Sequence, residues 1–166
     1  MSSARLRQLL PSAADTEALA GRLAALRPAD DQLTVLFLCG ELGAGKTTFA
    51  RGFLAALGVR DAVRSPTYTL LELYGLGALT AVHVDLYRLR GAAELELLGL
   101  RDLARPAHVW LVEWPERGPG ALPHPDLRVT LSIASGSHAV DIEASSPRGE
   151  EWLAALTASG ADTGPP

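Results

Sequence analysis

Apolar residues recur along the chain in two rhythms, short unbroken or alternating runs and positions spaced three or four apart, and each change of rhythm marks an element. Residues 15–26 place Leu19, Leu23 and Leu26 at helical spacing, with Ser12, Asp15 and Thr16 available as caps. Residues 33–39 are continuously apolar and rich in strand formers, the pattern of a strand covered on both faces of a parallel sheet. Helical spacing returns at 46–57 through Phe49, Phe53 and Leu57, and Gly58 supplies the stop. The strand-like runs 67–74 and 79–85 flank Gly75-Leu76-Gly77 and predict an antiparallel hairpin. A short helix at 92–98 closes at Gly99, and 107–112 is a nearly all-apolar central strand that ends at Glu113. Residues 127–133 and 138–144 alternate around Ser135-Gly136-Ser137, predicting a second hairpin. A last helix at 150–158 precedes a Gly/Pro-rich tail, 159–166, which is expected to be disordered.

Between the 33–39 strand and the 46–57 helix lies Gly40-Glu41-Leu42-Gly43-Ala44-Gly45-Lys46-Thr47, with glycines spaced where a backbone must curl so that its N–H groups converge on phosphate oxygens. In this pattern the lysine reaches the outer phosphates, the threonine hydroxyl ligates Mg²⁺, and the helix aims the positive end of its dipole at the same anion. Glu41, Leu42, Gly43, Ala44, Gly45, Lys46, Thr47 and Thr48 are therefore the predicted nucleotide-binding residues. The expected architecture is a single α/β domain over 1–158, with a P-loop NTPase-like sheet, parallel at its centre, carrying antiparallel hairpins and flanked by helices.

Asp85 and Glu113 each end an apolar strand, where open α/β sheets bind their ligands. A hard Mg²⁺ takes one or two such carboxylates, so both are predicted as metal ligands and, with Lys46, as the catalytic set; a surface acid or helix cap is the alternative for each. Ser65-Pro66-Thr67-Tyr68 puts hydroxyls after a proline-stiffened turn, where a terminal phosphate can order a switch segment, and a plain strand-entry turn explains the same residues. Trp114 either shapes the site or packs in a core or interface, and His83 is read as satisfied strand packing.

Composition narrows the setting. With 166 residues, 48% of them hydrophobic, the chain suits one compact core. Its net charge of -4 provides no broad basic face and argues against strong direct binding to RNA or DNA. No window approaches the roughly 18 apolar residues of a membrane helix, so a soluble cytoplasmic protein is expected. The lone Cys39 excludes an internal disulfide and a cysteine-based zinc site. Of 15 basic residues only Lys46 is a lysine, a compact point charge kept where a wide guanidinium would not fit the loop.

Five blocks in order, 40–52 (GELGAGKTTFARG), 65–70 (SPTYTL), 83–89 (HVDLYRL), 94–102 (ELELLGLRD) and 111–118 (LVEWPERG), closely resemble the TsaE family. The loop alone is generic; SPTY, DLYRL and VEW in succession are specific. The resemblance implies a small P-loop ATPase that uses ATP and Mg²⁺ and works with the TsaD and TsaB proteins in threonylcarbamoyl transfer to the adenosine beside the tRNA anticodon, meeting tRNA only through that complex. It also implies that Lys46 and Thr47 hold phosphate and metal, Glu113 binds Mg²⁺, and Asp85 supports the metal or hydrolysis. By the same resemblance Ser65, Thr67 and Tyr68 are switch residues, Trp114 serves activity or partner contact, and Thr16 neighbours the base or ribose. Two other readings share the loop. A small-molecule kinase would need an arginine-bearing lid, for which Arg88, Arg90, Arg101 and Arg105 are available, and an ATP-gated adaptor would need no essential turnover. A GTP switch is disfavoured, because its guanine reader would need a second lysine.

Overall fold

The computed structural model describes residues 3–60, 63, 66 and 68–160. In chain order the elements are β1 (Arg5–Leu10), α1 (Ala13–Ala25), β2 (Thr34–Cys39), α2 (Lys46–Leu57), β3 (Leu71–Leu76), β4 (Leu79–Asp85), α3 (Ala92–Leu97), α4 (Leu100–Leu103), β5 (His108–Glu113), β6 (Leu127–Ala134), β7 (Ser137–Ala144) and α5 (Pro147–Gly160). The strands form one seven-stranded sheet in the order β1-β7-β6-β2-β5-β4-β3. At its centre β2 runs parallel to both β5 and β6, and β4 runs parallel to β5. The β3–β4 hairpin forms one edge and β7 with β1 the other, all antiparallel to their neighbours. The expected mixed sheet, parallel inside and antiparallel outside, is the one observed.

Strand alternation sends side chains to two cores. On one face, Leu36, Leu38, Val109 and Leu111 pack with Leu19 and Leu23 of α1, Phe49 and Phe53 of α2, and Trp152 of α5. On the other, Val35, Phe37, Trp110 and Val112 pack with Val82, Val84, Leu95 and Leu100. Both fully buried tryptophans find an acceptor for the indole N–H, as buried polar groups must: Trp110 donates to the Leu103 carbonyl (3.0 Å) and Trp152 to that of Leu23 (2.8 Å). Helix α1 starts with a capping box, Ser12 and Asp15 bonding each other's main-chain N–H, so it begins before the predicted residue 15.

Several boundaries differ from those predicted. Strand β1 was not expected; its sequence RLRQLL leaves only Leu10 buried, and it forms because an edge of β7 is there to pair with, Arg5 opposite Glu143 through Leu10 opposite His138. Strand β3 begins at Leu71 rather than 67, because Leu70 adopts a left-handed φ of 63° and its N–H closes a turn on the Pro66 carbonyl (2.7 Å). The β3–β4 turn is Gly77-Ala78, with Leu76 still paired to Leu79. Ser135 and Gly136, both at positive φ, make the two-residue turn that matches strand twist, so Ser137 belongs to β7 rather than to the turn. Helix α5 runs to Gly160, past the predicted end at 158, as Arg22 from α1 donates to Ser159 Oγ (3.0 Å); the rest of the predicted tail, 161–166, lies outside the described residues. No helix among the described residues is long and apolar enough to cross a membrane.

Candidate functional site

The site is built where β2 hands the chain to α2. Gly40 follows the strand at φ 134°, and a Cβ there would lie 2.2 Å from the Leu131 carbonyl oxygen of neighbouring β6, so only glycine lets the chain turn at this point. Gly43 and Gly45 also take positive φ (80° and 108°), curling the loop until Phe49 N–H bonds the Gly45 carbonyl and the helix begins. The curl is tied down from β7: His138 Nδ1 lies 2.9 Å from the Ala44 carbonyl oxygen and therefore carries the proton of that bond.

Lys46, at the first position of α2, is 5% exposed. Its ammonium donates to the carbonyls of Gly40 (2.5 Å) and Glu41 (2.9 Å) and lies 4.1 Å from the centre of the Trp114 ring. Burial pushes its pKa down, and the nearby charges of Glu113, Glu116 and Asp85 push it back up. A lysine so placed is a desolvated cation held by two loop carbonyls and an indole face, within the field of three carboxylates.

The parallel register of β4 and β5 sets Asp85 directly beside Glu113, each the last residue of its strand and each buried. Glu113 is held at both oxygens: Thr47 Oγ1 donates to Oε1 (3.3 Å), and His83 Nε2 lies 2.7 Å from Oε2. Asp85 Oδ1 accepts the Tyr87 N–H (2.9 Å), which turns the chain out of β4. Trp114 leaves β5 in a left-handed conformation (φ 58°), about 1–2 kcal/mol unfavourable for a non-glycine residue, and so brings its ring over Lys46 and against Tyr87, centroids 4.9 Å apart.

These residues open onto one cleft of about 550 Å³, lined by Leu42, Gly43, Gly45, Lys46, Thr47, Thr48, Asp85, Glu113 and Trp114 among the site residues expected from sequence, by Arg88, expected only as a lid arginine of the kinase reading, and by Tyr87, which was not expected. Glu41 and Ala44 serve it through their carbonyls, to Lys46 and His138. Thr16 does not line the cleft: it is buried in α1, the helix packed on α2. Ser65 and Thr67 lie outside the described residues. Tyr68 is 84% exposed, and the Arg88 guanidinium sits 4.5 Å from its ring, so it touches a residue of the cleft wall. His83 was read as packing, yet it bonds Glu113; its place two residues before Asp85 on a strand was the available signal, since alternate residues share a face. His138 had no local signal, because only the pairing of β6 with β7 brings it to the loop.

A central parallel strand feeding a glycine turn and a helix, with lysine, threonine and two strand-end carboxylates around one cleft, defines an α/β protein with a polar cleft at the carboxyl end of its parallel strands. Within that class the chain belongs to the TsaE family: the family described as "Threonylcarbamoyl adenosine biosynthesis protein TsaE" matches residues 10–140. The chain is similar to the tRNA threonylcarbamoyladenosine biosynthesis protein TsaE of Haemophilus influenzae, 37% identical over 127 residues that span 76% of this chain and 80% of that protein. The Streptomyces coelicolor protein of the same description is 41% identical over 142 residues, 82% of this chain and 93% of its own. The crystal structure of Bacillus subtilis YdiB superposes with a TM-score of 0.76 at 28% identity, covering 96% of this chain and 98% of that one.

Proposed function

We propose that this protein binds and hydrolyses ATP with Mg²⁺, and that it does so in the threonylcarbamoyl modification of the tRNA adenosine beside the anticodon, together with TsaD and TsaB. The carrying observation is the convergence of Lys46, Thr47, Asp85 and Glu113 on one cleft at the glycine loop. The names borne by its relatives support the pathway. The residues also fit the ligands. The glycines' positive φ values supply the concave main chain a polyphosphate needs, and a hydroxyl with two adjacent carboxylates is the hard-oxygen set Mg²⁺ takes when phosphate and water complete its shell. When bound, Mg²⁺ and ATP supply the phosphoryl group to be transferred and neutralise charge on its oxygens.

The chain's own part follows from its contacts. Lys46 would exchange the carbonyls of Gly40 and Glu41 for phosphate oxygens, keeping Trp114 beneath it as a wall that excludes water from the ammonium. Thr47 and Glu113, already hydrogen-bonded, would meet the metal together, and Asp85 stands beside them in register. A net charge of -4 supports contact with tRNA through partners rather than directly.

The test is an ATPase assay with TsaD and TsaB added singly and together, combined with a search for phosphorylated small molecules. Phosphate release that rises when both partners are present is the expected result. A phosphorylated small product would transfer the reading to a kinase, and undiminished tRNA modification by a variant that binds ATP without hydrolysing it would leave an ATP-gated adaptor. Against the kinase, Arg101 is engaged with Glu96 on the surface, and only Arg88 of the four arginines considered for a lid lines the cleft.

A further inference from the structure

His83 and Asp85 share one face of β4, and the register with β5 sets His83 beside Leu111, two residues before Glu113 and on its face. The imidazole is fully buried, on the sheet face that Leu36, Leu38 and Leu111 fill and that Asp85 and Glu113 end. Its Nε2 lies 2.7 Å from Glu113 Oε2, while the other carboxylate oxygen takes the Thr47 hydroxyl. An ionised carboxylate only accepts, so Nε2 carries the hydrogen. The other ring nitrogen, Nδ1, is the one buried side-chain nitrogen or oxygen among the described residues with no hydrogen-bond partner. A leucine or phenylalanine would fill this space without stranding a polar atom, so packing does not account for a histidine here.

We infer that His83 is a positioning residue for the metal: its Nε2–H fixes one oxygen of Glu113 so that the other stays beside Thr47, facing the cleft. The terminal torsion of a glutamate is soft and roughly two-fold, so one donor leaves the carboxylate plane free to swing, and two donors on opposite oxygens define it. A carboxylate held in this way presents a ready lone pair to a hard cation. Hydrogen bonds to a ligating group commonly change metal affinity by about 10- to 100-fold. The inference rests on the proposed metal-dependent function and adds a residue that reaches the metal only through Glu113.

The experiment measures Mn²⁺ uptake, by electron paramagnetic resonance in the presence of ADP, for the full chain and for His83→Gln and His83→Asn. The glutamine amide nitrogen falls near the place of Nε2, and the asparagine nitrogen falls near Nδ1, so only glutamine can still donate to Glu113. His83→Asn should lose affinity for Mn²⁺ by about 10- to 100-fold, and His83→Gln should recover most of it. Affinity for ADP without metal should be the same in all three, and in a Glu113→Gln background His83→Asn should cost nothing further. Equal Mn²⁺ affinity in wild type and His83→Asn, equal losses in both variants, or a loss that persists in the Glu113→Gln background would each overturn the inference. Should the variants fold poorly, the wild type decides: the ring ¹⁵N resonances of His83 should move when Mg²⁺ is added with ADP, and unmoved resonances at saturating metal would overturn it too. No Mn²⁺ uptake by the wild type would instead overturn the proposed function, and this inference with it.

Discussion

Replacing Gly52 with alanine should destabilise the protein, although it replaces a poor helix former with the best one. Gly52 lies inside α2, where the exchange alone would gain about 1 kcal/mol. A Cβ at this position would stand 2.5 Å from the Glu17 carbonyl oxygen, 2.6 Å from its Cα and 2.9 Å from its carbonyl carbon. All three are main-chain atoms of α1, so relief requires moving a helix rather than turning a side chain. Overpacking of a closed interface costs about 1–3 kcal/mol and occasionally more. Three backbone contacts below 3 Å put this case at the upper end, which leaves a net loss of roughly 1–3 kcal/mol after the propensity gain. For a chain of this size that corresponds to a fall in Tm of about 3–10 °C. Gly21, on α1 and facing the same contact, is the control: a Cβ there meets Ala56 Cβ at 3.7 Å and the Gly52 carbonyl oxygen at 3.8 Å, ordinary contact distances. Gly21→Ala should therefore keep the propensity gain and raise Tm by about 2–3 °C. Calorimetric melts of the two variants beside wild type give the answer. A Gly52→Ala protein that melts at or above wild type would refute the claim that α1 and α2 meet through their main chains. Because Lys46 and Thr47 open the same helix, Gly52→Ala should also weaken ADP binding more than Gly21→Ala does.

Three further outcomes are expected. On the proposed function, Lys46→Ala should lose about 2–4 kcal/mol of transition-state stabilisation in ATP hydrolysis, since it removes a desolvated cation from the cleft; steady-state rates at saturating partners measure it, and wild-type turnover would end that role. Glu113→Ala should flatten the magnesium titration of hydrolysis, and an unchanged titration would strike Glu113 from the ligands. Stability should fall in acid partly through Asp141, whose carboxyl is held below the ordinary range chiefly by the hydrogen bond from Arg5, joining β1 to β7. A lowered folded pKa gives stabilisation that is complete above the unfolded value of about 3.9 and is lost as pH falls through the folded one. Asp141→Asn should therefore reduce the slope of stability against pH below about 4, and an identical acid unfolding profile would dismiss the pair.

The parts of this molecule that were legible in its sequence are those in which neighbours along the chain act on each other. The glycines at 40, 43 and 45 sit where the backbone must take positive φ, and their spacing states this before any fold is known. The apolar runs that became β2 and β5 announce central strands, and the acids that end β4 and β5 mark the carboxyl edge. The losses came where a residue's state depends on a distant strand. Nothing in RLRQLL declares β1, because an edge strand with little buried surface takes its hydrogen bonds from whichever neighbour is present. Thr16 is buried in α1, an enclosure set by the packing of α1 on α2, which its own neighbours along the chain do not state.

The order of a sheet is the clearest division between the two levels. Local hydrophobic rhythm fixes which segments are strands and which side of each is apolar, since those properties repeat every two or four residues. It contains nothing about which strand lies beside which. Only the tertiary pairing of β4 with β5 sets Asp85 against Glu113 and slides His83 under the same carboxylate, and only the pairing of β6 with β7 brings His138 to the Ala44 carbonyl. The curl of the loop was already written in consecutive residues, because a turn is a property of consecutive dihedral angles. The three-dimensional fold decided what surrounds that loop, because those contacts join residues that chain order keeps tens of positions apart.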